Sequence, residues 1–149
     1  MGFKEVKSDL FTFEADIKFI TTNGAVKDNG RAVMGRGCAL EAKNLIPGID
    51  KLLGDSIKEY GNIPNYLVKL THPHTYELWS FPVKHHWSDY ADISLIINSC
   101  EKIEPLLLAG HKVALPRPGC GNGHLHWKED VQPIIEHYLN YDNLYILSK

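Results

Sequence analysis

A chain of 149 residues with 44% hydrophobic and 23% charged residues has the size and composition of one globular domain. Its net charge of -2 argues against a basic surface for tight binding to a nucleic-acid backbone, and no apolar run approaches the ~20 residues of a membrane span. We expect a single domain over residues 1–149, monomeric, without a secretion signal or membrane anchor, and therefore cytoplasmic.

Short apolar segments alternate with helical patterns along the chain. The segments that predict strands are rich in β-branched or aromatic residues and are 18–22, 66–70, 76–81, 112–115 and 143–147. Apolar stripes with helical spacing lie between or after them, at 49–60, 93–107 and 131–139. This alternation predicts a three-layer α/β/α sandwich with a mixed central sheet.

Single residues mark the ends of the predicted helices. Gly61 is expected to end the first, and Ser88 to cap the start of the second. Pro105 predicts a kink or a break in the second helix, because proline removes a backbone donor. Pro133 fits only in the first turn of the last helix.

Two glycine-rich stretches, 29–37 and 116–123, hold six of the twelve glycines. Glycine allows positive φ and lets an anion approach backbone N–H groups, and the first stretch runs into a predicted helix start at Cys38. Because both stretches follow predicted strands, they should line one crevice at the carboxyl ends of the sheet. Neither contains a lysine, which favours a diphosphate held from both sides by backbone. A pair of ordinary turns is the alternative.

Three parts of the chain carry motifs of a known kind, namely residues 8–11, residues 20–24 with 33–40, and residues 115–123 with Trp127. In this order they resemble the early Gly-Asp-Leu/Ile segment, the first ligand loop and the second ligand loop of the macro domain family, whose members bind ADP-ribose. The segment 80–87, Ser-Phe-Pro-Val-Lys-His-His-Trp, is similar to the Phe-Pro-Thr-Lys-x-His-Trp stretch of one branch of the family. That branch includes terminal ADP-ribose glycohydrolases and antitoxins that remove ADP-ribose from DNA, with yeast-type ADP-ribose-1''-phosphate phosphatases as relatives.

The resemblance implies a set of ligand-binding residues. Asp9 would accept the adenine amine and Asn23 would touch the distal ribose, with a local turn as the alternative role of each. The diphosphate and distal ribose would lie against two groups of loop residues, namely Gly35, Arg36, Gly37, Cys38 and Gly119, Cys120, Gly121, Asn122, Gly123. No cofactor is expected.

Lys84 is the candidate for chemistry. In the glycohydrolases that the chain resembles, the lysine at this position attacks the anomeric carbon of the distal ribose. Such a lysine must be partly deprotonated, through burial or nearby positive charge. His85, His86 and Arg117 would supply that charge if they reach the crevice.

The second loop departs from the family pattern. Gly123 stands where human-type terminal ADP-ribose glycohydrolase carries an aspartate, and no carboxylate occurs between Glu104 and Glu129. His124 or His126 would then carry the proton, unless both are simply polar loop residues. The remaining histidines and cysteines match no zinc spacing, so no metal is expected. Trp79, Phe81 and Trp87 are expected to pack in the core and loops rather than to form a base-stacking platform, which would need accompanying positive charge.

Two classes of function remain open. The protein is either a hydrolase of a terminal ADP-ribose derivative (an ester on protein or DNA, a nucleobase adduct, or ADP-ribose 1''-phosphate) or a module that binds or sequesters ADP-ribose or a related signal nucleotide. The partner is accordingly ADP-ribose or an ADP-ribosylated macromolecule, and nucleic acid enters only as a modified substrate.

Overall fold

The middle layer of the protein is one mixed sheet of six strands within residues 2–149, the part of the chain that the computed structural model describes. The strands are β1 (Lys4–Lys7), β2 (Ile17–Asn23), β3 (Asn65–Leu70), β4 (Tyr76–Lys84), β5 (Val113–Pro116) and β6 (Leu144–Ser148). They lie in the order β1-β6-β5-β2-β4-β3, with β3 antiparallel to β4 and every other neighbouring pair parallel.

Helices cover both faces of this sheet, so the predicted three-layer sandwich is confirmed. One face carries α1 (Gly37–Leu45) and α2 (Ile49–Tyr60), and the other carries α3 (Ile93–Leu108) and α4 (Gln132–Tyr138). A π-helical turn, Trp127–Val131, leads into α4. Each helical layer encloses its own apolar core against the sheet, because alternate residues of a strand point to opposite faces.

Strand β2 shows how the two cores are divided. Its Ile17 and Phe19 pack in the core under α3 and α4, whereas Ile20 packs in the core under α1 and α2. Lys18 is also completely buried, at 0% exposure. The sequence predicted that it lies in a strand but did not predict its burial. The central position of β2 between β4 and β5 explains this burial, since both of its faces are covered.

Several predicted boundaries differ in the structure. Ser88 does not cap α3; the Asp92 carboxylate does so, by accepting a 2.8 Å hydrogen bond from the Ser94 N–H. The helix runs through Pro105 to Leu108 without a break. Pro133 lies in the first turn of α4, as predicted.

One strand is longer than predicted, and another was not predicted. Strand β4 continues to Lys84, three residues beyond its predicted end at residue 81. Strand β1 was not predicted, because its sequence Lys-Glu-Val-Lys has no apolar run and it forms a largely exposed edge of the sheet. Within residues 2–149, no helix has the length and apolar character needed to cross a membrane.

Candidate functional site

A cavity of about 390 Å³ opens where the carboxyl ends of β2, β4 and β5 meet. Asn23, Lys84 and Pro116, the last residues of these three strands, line it. Both glycine-rich stretches contribute to its walls, so they do share the crevice that the strand order predicts. The volume falls in the usual range of small-molecule sites, about 300 to 1,000 Å³.

The first wall is the start of α1. Gly37 has a φ of +59°, a left-handed conformation that favours glycine, and the preceding Arg36 makes no side-chain cap. A Cβ at Gly35 would meet nothing within 4 Å. The first N–H groups of α1 therefore lack side-chain cap partners and lie at the cavity, an arrangement suited to an anion.

The second wall is the loop after β5. Asn122 lies opposite Gly37, since a Cβ built on Gly37 would be 3.7 Å from Nδ2 of Asn122. Gly121 borders open space, but a Cβ at Gly123 would lie 2.5 Å from the Gly119 carbonyl oxygen. Gly123 thus packs against the loop's own backbone, and an aspartate could not replace it without moving that backbone.

A third element, the loop of residues 85–92 between β4 and α3, closes the side of the cavity at Lys84. Its end is fixed by hydrogen bonds from the Asp92 N–H to the Val83 carbonyl (2.8 Å) and from the Ala91 N–H to the Gly123 carbonyl (3.0 Å). Trp87 lines the cavity and is 53% exposed, so of the packing expected in the core and loops the structure shows the loop contact, with His86. Tyr90 of the same loop is 72% exposed.

Lys84 places its amine between this loop and the second glycine loop. Its Nζ donates to the Asn122 carbonyl at 2.9 Å and to the Trp87 carbonyl at 3.5 Å. Partial burial lowers the pKa of Lys84 below its usual value, and the positive charge of Arg36 lowers it further, while the negative charge of Asp89 acts in the opposite direction. The cavity therefore holds an amine that gives up its proton more readily than a free lysine does.

None of the three residues expected to lower the pKa of Lys84 by positive charge does so; Arg36 does. His85 is paired with Asp92 (2.8 Å), and His86 is bonded to Ser88 (2.8 Å). Arg117 lines the cavity, but its guanidinium donates to Glu5 at 3.2 Å and lies over the Trp127 ring. Arg36, which was expected to contribute only backbone, is the charge that acts on Lys84.

The two histidines proposed as proton carriers lie outside the cavity lining. His124 stacks against Tyr90, with the ring centroids 4.5 Å apart, and has a φ of +65°. His126 is exposed, and its N–H donates to Asp130. The structure brings neither imidazole to Lys84.

Asp9 and Asn23 both take part in local turns. The Asp9 carboxylate accepts the Phe11 N–H at 3.2 Å, and its neighbours Ser8 and Leu10, rather than Asp9 itself, line the cavity. Asn23 lines the cavity while its amide bonds to Ala25 and Val33.

The cysteines of the loops are poor nucleophiles. Burial raises the pKa of the Cys38 thiol, whose sulfur accepts the Thr21 N–H, and burial raises the pKa of Cys120 to about 11. Both thiols are therefore protonated at neutral pH. No group of three or more His, Cys, Asp or Glu that could hold a metal ion occurs in residues 2–149.

Lining residues that were not predicted include Ser148 at the end of β6 and Glu41 of α1, which forms a 2.7 Å ion pair with Lys149. Thr21 and Thr22 at the end of β2 also line the cavity; they fall within residues 20–24, which resemble the first ligand loop, although neither was given a role of its own. The approach of Glu41 to Lys149 depends on how α1 packs and has no local signal.

Solved structures of similar fold identify the architecture, although no family model and no curated protein matches the chain. The chain is similar to Thermosipho africanus DarTG in complex with ADP-ribose (25% identity, TM-score 0.78), over 98% of this chain and 41% of that one. It is also similar to the macrodomains of Mycobacterium tuberculosis DarG (22% identity, TM-score 0.74, 99% and 97% of the two chains) and Thermus aquaticus DarG (22%, 0.70, 99% and 98%).

These likenesses confirm the macro domain fold and the resemblance to the branch that contains DarG. The chain spans less than half the length of the Thermosipho protein, and that protein is the one seen with ADP-ribose.

Proposed function

We propose that the protein binds ADP-ribose in this cavity and hydrolyses the bond between a terminal ADP-ribosyl group and the molecule that carries it. The observation that carries the proposal is the position of Lys84, whose amine lies in the cavity between the loop of residues 85–92 and the second glycine loop and has a lowered pKa. The two glycine loops offer backbone N–H groups to a diphosphate, and the amine is available to attack the sugar carbon beyond it.

In this reaction Lys84 Nζ forms a bond to the anomeric carbon of the distal ribose, and the bond to the leaving group breaks. Water then releases ADP-ribose and regenerates the amine. The glycosylamine formed on Lys84 is in equilibrium with an open-chain iminium ion, which borohydride reduces to a stable secondary amine. The lowered pKa increases the fraction of Lys84 that is neutral and nucleophilic at pH 7.

Exposed aromatic rings favour a nucleobase among the leaving groups that this chemistry allows. Trp87 at the mouth of the cavity and Tyr90 of the same loop present exposed faces on which a base can stack. His86 and His124 lie against these two rings. A protein carboxylate or a phosphate would make no use of them.

A panel of substrates tests the proposal. Purified protein is incubated with thymidine-linked ADP-ribosyl DNA, an ADP-ribosylated glutamate peptide and ADP-ribose 1''-phosphate, and released ADP-ribose is measured. We expect the DNA to react fastest and a borohydride-trapped sugar adduct to map to Lys84 by mass spectrometry. Release that is unaffected by Lys84→Ala would contradict the lysine mechanism.

A module that binds ADP-ribose without cleaving it is the second candidate. It is favoured by the two carbonyl oxygens that accept hydrogen bonds from Lys84, because they stabilise the protonated amine. Tight binding of ADP-ribose with no turnover of any of the three substrates and no adduct would select this function.

A further inference from the structure

The parallel pairing of β2 with β4 contains a one-residue irregularity at the edge of the cavity. Thr22 lies opposite Pro82, but the next residue of β2, Asn23, lies opposite Lys84, so that Val83 is left without a partner in β2. Residues paired across neighbouring strands point to the same face of a sheet. The irregularity therefore sets Asn23 beside Lys84 at the end of the sheet, where both line the cavity. Bulges of this kind often re-aim side chains next to active sites.

Asn62, in the linker between α2 and β3, holds the strand end at this irregularity. Its Nδ2 donates a hydrogen bond to the Lys84 carbonyl at 2.9 Å. The Gly24 N–H donates to the same carbonyl at 3.1 Å and to the His85 carbonyl at 3.2 Å. The carbonyl of Lys84 thus accepts one hydrogen bond from the α2–β3 linker and one from the residue directly after β2, which fixes the backbone of the candidate nucleophile.

The packing around Gly24 leaves no room for the three parts of this contact to separate or shift. A Cβ at Gly24 would lie 2.9 Å from Cγ and Nδ2 of Asn62 and 2.9 Å from the His85 carbonyl oxygen. Gly24 has no positive φ, so close approach rather than backbone conformation requires a glycine here. The Asn62 Oδ1 is buried and has no hydrogen-bond partner within residues 2–149. Because an unpaired buried oxygen destabilises a fold, stability alone does not explain this amide.

We propose that Asn62 is a positioning residue for the chemistry of Lys84, because together with Gly24 it fixes the end of β4 and so sets where the Lys84 amine lies relative to Asn23. The inference rests on the proposed function. Asn62 does not line the cavity and acts only through the backbone carbonyl of Lys84. A displacement of about 1 Å can slow a reaction about 10²-fold. A shift of the β4 end would therefore slow attack on the sugar more than it weakens binding of the diphosphate.

A matched pair of asparagine variants of the full chain tests this role on whichever substrate of the panel the wild type turns over. Asn62→Ala should lower kcat by about 10²-fold, with KM and the Kd for ADP-ribose changed by a few-fold at most. The control is Asn65→Ala, which removes a 2.8 Å hydrogen bond from the Asn65 amide to the Ser56 hydroxyl in the same region of the fold. It should lose comparable stability in urea titrations and keep kcat within a few-fold of the wild type.

Gly24→Ala disturbs the same irregularity from the other strand and leaves Asn62 in place. Its Cβ would force the Asn62 amide or the His85 carbonyl to move. We therefore expect kcat to fall in this variant as well, with the Kd for ADP-ribose changed by a few-fold at most. Binding of ADP-ribose, measured by calorimetry, also shows that the variant is folded.

A second readout is independent of turnover. Partial burial and the charge of Arg36 lower the pKa of Lys84 while its amine lies in the cavity. Carbon-13 NMR of the lysine side chains, with the Lys84 signal assigned from Lys84→Arg, should show this pKa rising toward the ordinary lysine value in Asn62→Ala, because a displaced amine is better solvated. The pKa of Lys84 should be unchanged in Asn65→Ala.

The outcomes separate the two proposals. Turnover by the wild type with kcat of Asn62→Ala within a few-fold of it overturns the positioning role and leaves the proposed function standing. An equal loss of kcat in Asn62→Ala and Asn65→Ala also overturns the role, since the effect would then be one of stability. Turnover of none of the substrates by the wild type overturns the proposed function. An unchanged Lys84 pKa in Asn62→Ala would then overturn the placement of the amine by Asn62 as well, whereas a rise would support it.

Discussion

Two strand lysines, Lys84 and Lys18, both have lowered pKa values but lie in opposite environments. Lys84 ends β4 at the cavity, where its amine has two carbonyl partners and its pKa is subject to the opposing charges of Arg36 and Asp89. Lys18 is near the beginning of β2, where its buried Nζ has no hydrogen-bond partner in the described part of the chain and lies 4.0 Å from the Tyr76 ring centroid.

The contrast shows that a lowered pKa does not by itself mark a reactive residue. Burial lowers the pKa of Lys18 to about 8, with the charge of Asp9 opposing the shift, yet no substrate atom can reach the completely buried side chain. Lys84 combines a smaller degree of burial with access to the cavity. Accessibility, rather than the size of the shift, separates the candidate nucleophile from the core lysine.

The largest expected difference between the two lysines is in catalysis. Lys84→Ala should lower the turnover of an ADP-ribosylated substrate by about 10³-fold or more, since the nucleophile is removed, while the affinity for ADP-ribose changes little. Lys18→Met, which removes the amine of a buried lysine, should leave turnover within a few-fold. Rates from single-turnover kinetics and affinities from calorimetry test this pair, and equal losses in both variants would remove the distinction.

The second difference is in stability as a function of pH. Below pH 8 the Lys18 amine is protonated in both the folded and the unfolded chain. Between about pH 8 and 10.5 the folded protein loses this proton before the unfolded chain does, so the free energy of unfolding should rise, by on the order of 3 kcal/mol. Lys18→Met should be more stable than the wild type at pH 7 and should lack this rise.

Urea titrations from pH 7 to 10.5 measure the effect. Lys84→Met is the matched control, because Lys84 is partly exposed and water compensates most of its desolvation, so its loss should alter the pH dependence much less. Parallel curves for the wild type and Lys18→Met would show that Lys18 is protonated normally in the folded protein.

Ligand binding in the cavity beside Lys84 should stabilise the folded protein. ADP-ribose at 100 times its Kd should raise the free energy of unfolding by about 2.7 kcal/mol, since it binds only the folded state. AMP at the same concentration should raise it far less, because it lacks the second phosphate and distal ribose that the two glycine loops are proposed to hold. Thermal unfolding of the protein with ADP-ribose and with AMP compares the two stabilising effects. Equal shifts would show that only the adenosine end is bound.

The smallest expected effects are those of two glycine substitutions in the second loop, one of which should weaken ligand binding and the other the stability of the fold. Gly121→Val should weaken ADP-ribose binding by at least tenfold, about 1.4 kcal/mol, without loss of stability, because a side chain there would enter the open space of the cavity. Gly123→Ala should instead destabilise the fold, because its Cβ would lie 2.5 Å from the Gly119 carbonyl oxygen. Calorimetry and denaturant titration of both variants distinguish these roles; unimpaired binding by Gly121→Val would assign this glycine to the turn alone.

Local sequence patterns were sufficient to predict the three layers of the fold. The alternation of segments rich in β-branched or aromatic residues with apolar stripes of helical spacing predicted the three-layer sandwich, and Pro133 was correctly expected in the first turn of the last helix. They failed for β1, whose four residues Lys-Glu-Val-Lys gain their strand conformation from pairing with β6 at the edge of the sheet. They also misassigned the cap of α3, where Ser88 and Asp92 are both acceptable cap residues and the loop decides between them.

The sequence alone determined the two glycine loops and the Lys84 segment, because the conformational freedom of glycine and the motif around the lysine are properties of consecutive residues. Tertiary structure decided what surrounds that lysine. It packs His124 on Tyr90, pairs Arg117 with Glu5, and lets the charges of Arg36 and Asp89 act on the amine. These interactions join residues from different parts of the chain, and they depend on how the loops pack on the sheet.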